Sequence, residues 1–155
     1  MNIRVIFLAN KLPEWLSAAI TSYLQRLRPP FAVDFYCVKP KKFSDNVQIE
    51  QRMQQQADSI FARVAANSRV IMLDRRGKYL TSEAVAERYT SFLAEGTHIS
   101  VLIGGPDGFT AEHLTFADEV WSLSALTLPH GLVQLLFVEQ TYRAMTILQK
   151  HPYHK

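Results

Sequence analysis

Short β-rich runs alternate with longer helical patterns from one end of the chain to the other, and that alternation restricts it to an α/β fold with a mostly parallel sheet. Five runs read as strands: "IRVIFL" (Ile3 to Leu8), "AVDFYCV" (Ala32 to Val38), "RVIMLD" (Arg69 to Asp74), "ISVLIG" (Ile99 to Gly104) and "EVWSLS" (Glu119 to Ser124). The third and fourth are almost continuously apolar, as strands covered on both faces are. Four helical patterns flank them. Pro13 to Leu27 repeats Leu16, Ile20, Leu24 and Leu27 at helical spacing, with the proline suited to a first turn. Asn46 to Ala66 is polar and rich in glutamine, with one apolar stripe of Ile49, Met53, Ile60, Phe61 and Val64. Ser82 to Ala94 follows "LTSE", where Thr81 or Ser82 caps and Glu83 suits the positive end. Leu132 to Lys150 has hardly any polar face, so the sheet alone would not cover it, and a subunit interface is expected there, with a central helix within one chain as the alternative.

With 155 residues, 48% of them hydrophobic, the chain can bury one full core, which predicts a single domain over residues 1–155. No run of about 18 apolar residues occurs and no small-residue cleavage site follows "MNIRVIFLAN", so no membrane association and a cytoplasmic location are expected. The single cysteine, Cys37, excludes an internal disulfide and a cysteine metal cluster, and its apolar setting predicts a buried structural thiol; no metal is expected. Net charge is only +3, but basic residues gather in "KPKK" (Lys39 to Lys42), "RRGK" (Arg75 to Lys78) and "KHPYHK" (Lys150 to Lys155). They point to a polyanionic partner only if folding brings them to one face.

In open parallel sheets, ligands bind beyond the carboxyl ends of the strands. Three such ends carry unusual loops: "LDRRGK", "GGPDGFT" and "SALTLPHG". Gly104, Gly105 and Gly108 remove side chains where a ligand would approach. Their spacing is not the dinucleotide fingerprint, and no phosphate loop ending in Gly-Lys-Ser or Gly-Lys-Thr is present. The stretch "WSLSALTLPHG", Trp121 to Gly131, has no acid and no base except His130. It offers apolar walls and backbone hydrogen-bonding groups, which suit an adenine ring, and no charge for a phosphate.

"LDRRGKYLTSE", "LIGGPDGF", "WSLSALTLPHGLVQLLFVEQTYRAMTI" and "HPYH" resemble the bacterial 23S rRNA pseudouridine N3-methyltransferases of the SPOUT class, and length and strand order agree over essentially the whole chain. The resemblance implies a homodimer whose C-terminal segment is threaded into a trefoil knot, an exception to the rule that chains do not knot. It implies S-adenosylmethionine as methyl donor, with Leu73, Gly104, Leu123, Ser124, Ala125, Leu126, Thr127 and Leu128 lining its site. The implied substrate is N3 of a pseudouridine in large-subunit ribosomal RNA, modified in the assembled ribosome. Candidates for the chemistry are His130, Arg143, His151, Tyr153 and His154. A neutral His130 would accept a proton or cap the following helix. Arg143 would meet a phosphate or deprotonated base, or pair with an acid such as Glu139. Tyr153 and His154 would help build the target-base pocket. The competing readings are a SPOUT methyltransferase for another RNA nucleotide and a non-catalytic ribosome-binding module.

Overall fold

The computed structural model describes residues 1–155. In chain order the elements are β1 (Asn2–Leu8), α1 (Glu14–Leu24), β2 (Ala32–Val38), α2 (Ile49–Phe61), β3 (Ser68–Tyr79), α3 (Ser82–Ala94), β4 (His98–Ile103), α4 (Ala111–Leu114), β5 (Glu119–Ser122) and α5 (His130–Leu148). The strands form one sheet in the order β2-β1-β4-β3-β5, and every neighbouring pair is parallel.

Side chains alternate across a strand, and here both faces are covered. β1 sends Ile3, Val5 and Phe7 into the larger core and Ile6 and Leu8 into the smaller one. The larger core joins Ile71, Ile99 and Val101 to Tyr89 and Phe92 of α3 and Phe137 and Met145 of α5. The smaller joins Val70, Met72 and Leu102 to Ala57 and Ile60 of α2. α1 packs on α5 through Leu16 and Ile20 against Val138. α3 starts where the sequence signals it, with Thr81 Oγ1 accepting the Ala84 N–H at 3.1 Å.

Several expectations are corrected. α2 covers only the middle of the expected Asn46–Ala66 span, α1 stops at Leu24, and α5 begins two residues early at His130. Four-residue α4 has no period to read; it is held by a capping box between Thr110 and His113. Cys37 is not buried: β2 is an edge strand, and the exposed thiol donates to the Ala9 carbonyl at 3.2 Å. α5 finds more cover within the chain than its apolar sequence implied, because it packs against both α1 and α3. Leu132 and Leu148 remain exposed at 40% and 37%. No helix is long and apolar enough to cross a membrane.

β3 also runs past its expected end. Leu73 pairs with Trp121, the chain then leaves the ladder, and Lys78 pairs with Trp121 again. On this return the backbone crosses β5 so closely that a Cβ on Gly77 would lie 2.6 Å from the Trp121 carbonyl carbon and 2.7 Å from its nitrogen. Those atoms belong to a paired strand and cannot rotate aside. Gly77→Ala is therefore expected to cost at least the ~1–3 kcal/mol of ordinary overpacking, read as a lower midpoint in urea unfolding.

Candidate active site

Parallel strands place all their carboxyl ends on one edge, and three loops meet there: residues 74–78 within β3, 104–110 after β4, and 123–129 after β5. They enclose a cleft of about 280 Å³. Leu73, Ile103, Phe109, Trp121, Leu123, Leu126, Leu128 and Val133 supply its apolar walls. Gly108 has a φ of +75°, which a residue with a side chain rarely adopts, and its N–H donates to the Gly105 carbonyl at 2.9 Å to close the turn.

The loop after β5 is held by its own hydroxyls. Ser124 Oγ accepts the Leu126 N–H at 2.9 Å, and Ser122 Oγ donates to the Ser124 carbonyl at 3.1 Å. The N–H groups of Ser124, Thr127 and Leu128 donate to nothing in the chain. A buried ligand edge is the natural partner for such groups.

Two arginines fix the other walls. The Arg76 guanidinium donates to both oxygens of Asp74, at 2.7 and 2.8 Å, and to the Phe109 carbonyl at 2.6 Å, tying the β3 loop to the glycine loop. Burial alone would push the Asp74 carboxyl up; the hydrogen bonds from Arg76 outweigh it and hold the group below the ordinary carboxylate value. From α2, Arg52 grips Asp107 of the glycine loop at 2.8 and 3.2 Å.

His130 stands at the junction of this cleft and α5. Its Nε2–H donates to the Gly104 carbonyl at 2.7 Å, and its Nδ1 accepts from Gln134 Nε2 at 3.3 Å. Burial lowers its pKa, opposed by the bond to Gly104, so the imidazole is neutral at pH 7. With both nitrogens engaged, its evident work is to hold the glycine loop against α5.

Of the residues named from sequence, Leu73, Gly104, Leu123, Ser124, Leu126, Thr127, Leu128 and His130 line this one cleft. Ala125 does not; it is exposed. Asp74, Phe109 and Trp121 were not singled out, although the last two build a wall. Arg143, Tyr153 and His154 lie elsewhere: thirteen residues separate Arg143 from His130 on α5, about 20 Å along the axis. Arg143 donates twice to Glu139 Oε1, at 3.0 and 2.7 Å, and Tyr153 donates to the same oxygen at 3.1 Å. The Arg143 guanidinium lies 4.8 Å from the Tyr153 ring centroid. His154 meets Glu83 at 3.0 Å, so the tail is docked rather than frayed. Burial, followed by Tyr23 and Glu139, pushes the Tyr153 phenol well up, so it stays a donor at neutral pH. No cluster of three or more His, Cys, Asp or Glu side chains is placed to hold a metal.

The His130 geometry has two measurable consequences. His130→Asn should weaken binding of a ligand in this cleft about tenfold, the scale of one hydrogen bond, and leave the kcat of any reaction there within tenfold of wild type. A general base would instead cost about 10²–10⁴ in kcat. Because folding lowers the His130 pKa, the unfolded chain takes up the proton first. The contribution of His130 to stability is therefore complete above the ordinary imidazole value of 6.5 and is lost as pH falls through and below it. Urea unfolding across that range should show a slope that His130→Asn reduces.

The chain matches the family model described as "Predicted SPOUT methyltransferase" over residues 1–154. Ribosomal RNA large subunit methyltransferase H of Nitrosococcus oceani is 39% identical over 155 residues, covering 100% of this chain and 99% of the relative. The proteins of that name from Saccharophagus degradans and Chromohalobacter salexigens are 37% and 36% identical, with 100% of both chains covered in each case. Among solved structures, a methylase family protein from Haemophilus influenzae Rd KW20 superposes with a TM-score of 0.56 at 15% identity, covering 96% of this chain and 66% of the other. One from Neisseria gonorrhoeae does so with a TM-score of 0.53 at 12% identity, covering 91% and 81%. These two likenesses concern the fold alone. With a family match from end to end and relatives of equal length, the chain belongs to the SPOUT methyltransferase family.

Proposed function

We propose that this methyltransferase moves the methyl group of S-adenosylmethionine to N3 of a pseudouridine in large-subunit ribosomal RNA, acting on the assembled ribosome in the cytoplasm. The observation that carries the reading is the full-length match to large-subunit ribosomal RNA methyltransferases, joined to a cleft built by the three carboxyl-end loops. The cleft fits the donor: its walls are apolar, and the free N–H groups of Ser124, Thr127 and Leu128 suit the edge of an adenine. Leu73, Gly104, Leu123, Ser124, Leu126, Thr127 and Leu128 are the residues assigned to it.

S-adenosylmethionine supplies an electrophilic methyl group on a cationic sulfur. The protein aligns that methyl with N3 and lets the N3 proton leave. His130 holds the wall of the cleft, while Arg143, Tyr153 and His154 supply the target-base pocket. A distance of about 20 Å along one helix keeps these two groups apart within one chain, and a homodimer reconciles them. An apolar groove between α1 and α5 is lined by Leu128, Leu132, Leu135 and Leu136 and ends at Glu139. A second copy lying antiparallel along it would bring each docked tail toward the other copy's cleft. The close crossing at Gly77 supports a C-terminal segment threaded through the loop that leaves β3.

The test is transfer of labelled methyl to ribosomes from cells lacking the protein, with the nucleoside identified by mass spectrometry. N3-methylpseudouridine in large-subunit RNA is expected; label on another nucleotide, or donor binding with no transfer, would overturn the reading. Deleting residues 151–155 should abolish transfer while donor affinity changes by less than about threefold, since cofactor contacts lie in a separate cleft.

A further inference from the structure

We infer that the carboxyl rim of the sheet is the track for an unpaired RNA strand, extending from the cleft to the far edge strand β2. The inference rests on the ribosomal RNA reading above and goes on to the residues that hold the strand. Two of the three basic clusters come together in the fold. Lys39, Lys41 and Lys42 leave the end of β2, Lys11 leaves the end of β1, and Arg75 and Lys78 belong to the β3 loop at the cleft. All six are exposed, and none is in an ion pair. The rim carboxylates Asp74 and Asp107 are neutralised by Arg76 and Arg52, which leaves Asp45 in these loops and Glu14, Glu50 and Glu112 in the first turns of α1, α2 and α4 as the acids without an ion pair. The third cluster, at the tail, follows the far end of α5 and within one chain lies off this track.

Aromatic side chains stand among these cations. Trp15, 59% exposed, and Tyr79, 61% exposed, face solvent on the same rim. Trp15 and Lys11 line a recess of about 480 Å³ that shares His130 with the cofactor cleft. Exposed rings beside unpaired cations are what a single strand uses, with bases stacked on the rings and phosphates on the cations. A duplex could not offer its base faces to them. From β2 to β3 is three strand spacings, about 14 Å, which corresponds to roughly four stacked nucleotides.

The test compares the full-length protein with K39A/K41A/K42A, R75A/K78A, Trp15→Ala and, as control, Arg28→Gln, in the connection that enters β2 at its amino end. Affinity for single-stranded poly(U) and for assembled ribosomes is measured over a salt series, with donor affinity and thermal midpoint recorded for each variant. Lysine removal should lower the slope of log K against log salt by about 0.7 per lost phosphate contact, thus about 2 for the triple variant. Trp15→Ala should weaken RNA binding by at least roughly fivefold, from lost stacking, at unchanged slope. Donor affinity should stay within twofold in K39A/K41A/K42A and in Trp15→Ala, which lie outside the cleft, and the control should match wild type. Wild-type affinity and slope in the rim variants, while the wild type methylates ribosomes, would overturn this inference and leave the proposed reaction standing. Weakened ribosome binding with unchanged poly(U) binding would also overturn it, since the rim would then meet a protein surface. A wild type that neither binds RNA nor methylates ribosomes would remove the reading beneath it.

Discussion

The common direction of the strands governs this molecule. Parallel hydrogen bonding requires each connection to cross back over a face, so α1, α2 and α3 cover the sheet, α5 packs beside them, and the strands between must be apolar on both sides. The same direction gathers every carboxyl end on one edge, where backbone groups emerge unpaired and loops are free of the ladder. The apolar cleft, the glycine loop and the basic loops all occupy that edge. Topology thus gives them a common border, whatever their separation in sequence.

How much of this was readable depended on the range of the interaction. Strand and helix order came from periodicity, and the Thr81 cap from a local side-chain-to-backbone bond, so both stood in the sequence. The three loops of the cleft followed from topology alone, because a parallel sheet permits few other places. What stayed hidden was long-range. Cys37 lies in a run as apolar as its neighbours, and only the position of β2 at the sheet edge decides that the thiol meets water. The return of β3 to Trp121 looks in sequence like an ordinary Arg-Arg-Gly-Lys turn. The distance between His130 and Arg143 follows from helix rise, but which copy's residues share a site is a matter of assembly that one sequence does not display.

His130 illustrates how an ionisable group near a site can serve geometry. A half-buried neutral imidazole that donates to one carbonyl and accepts from one amide has a fixed tautomer, so it acts as a brace between a loop and a helix. Arg76 and Arg52 act similarly on the other walls, each tying an acid of one loop to a second element or loop. The glycine loop, flexible by composition, is thereby gripped from three sides. Preorganisation of this kind suits a reaction whose main demand is alignment.

The crossing at Gly77 also bears on the order in which the chain is made. The second leg of β3 can take its place only when Trp121 is there to receive it, and Trp121 is synthesised 44 residues later. At roughly 5–20 residues per second, that is an interval of about 2–9 s on the ribosome. During that time the second leg of β3 has no rung to close on. A glycine whose missing side chain permits the final contact thus also sets a schedule: the edge that holds the cleft is completed only by the last third of the nascent chain.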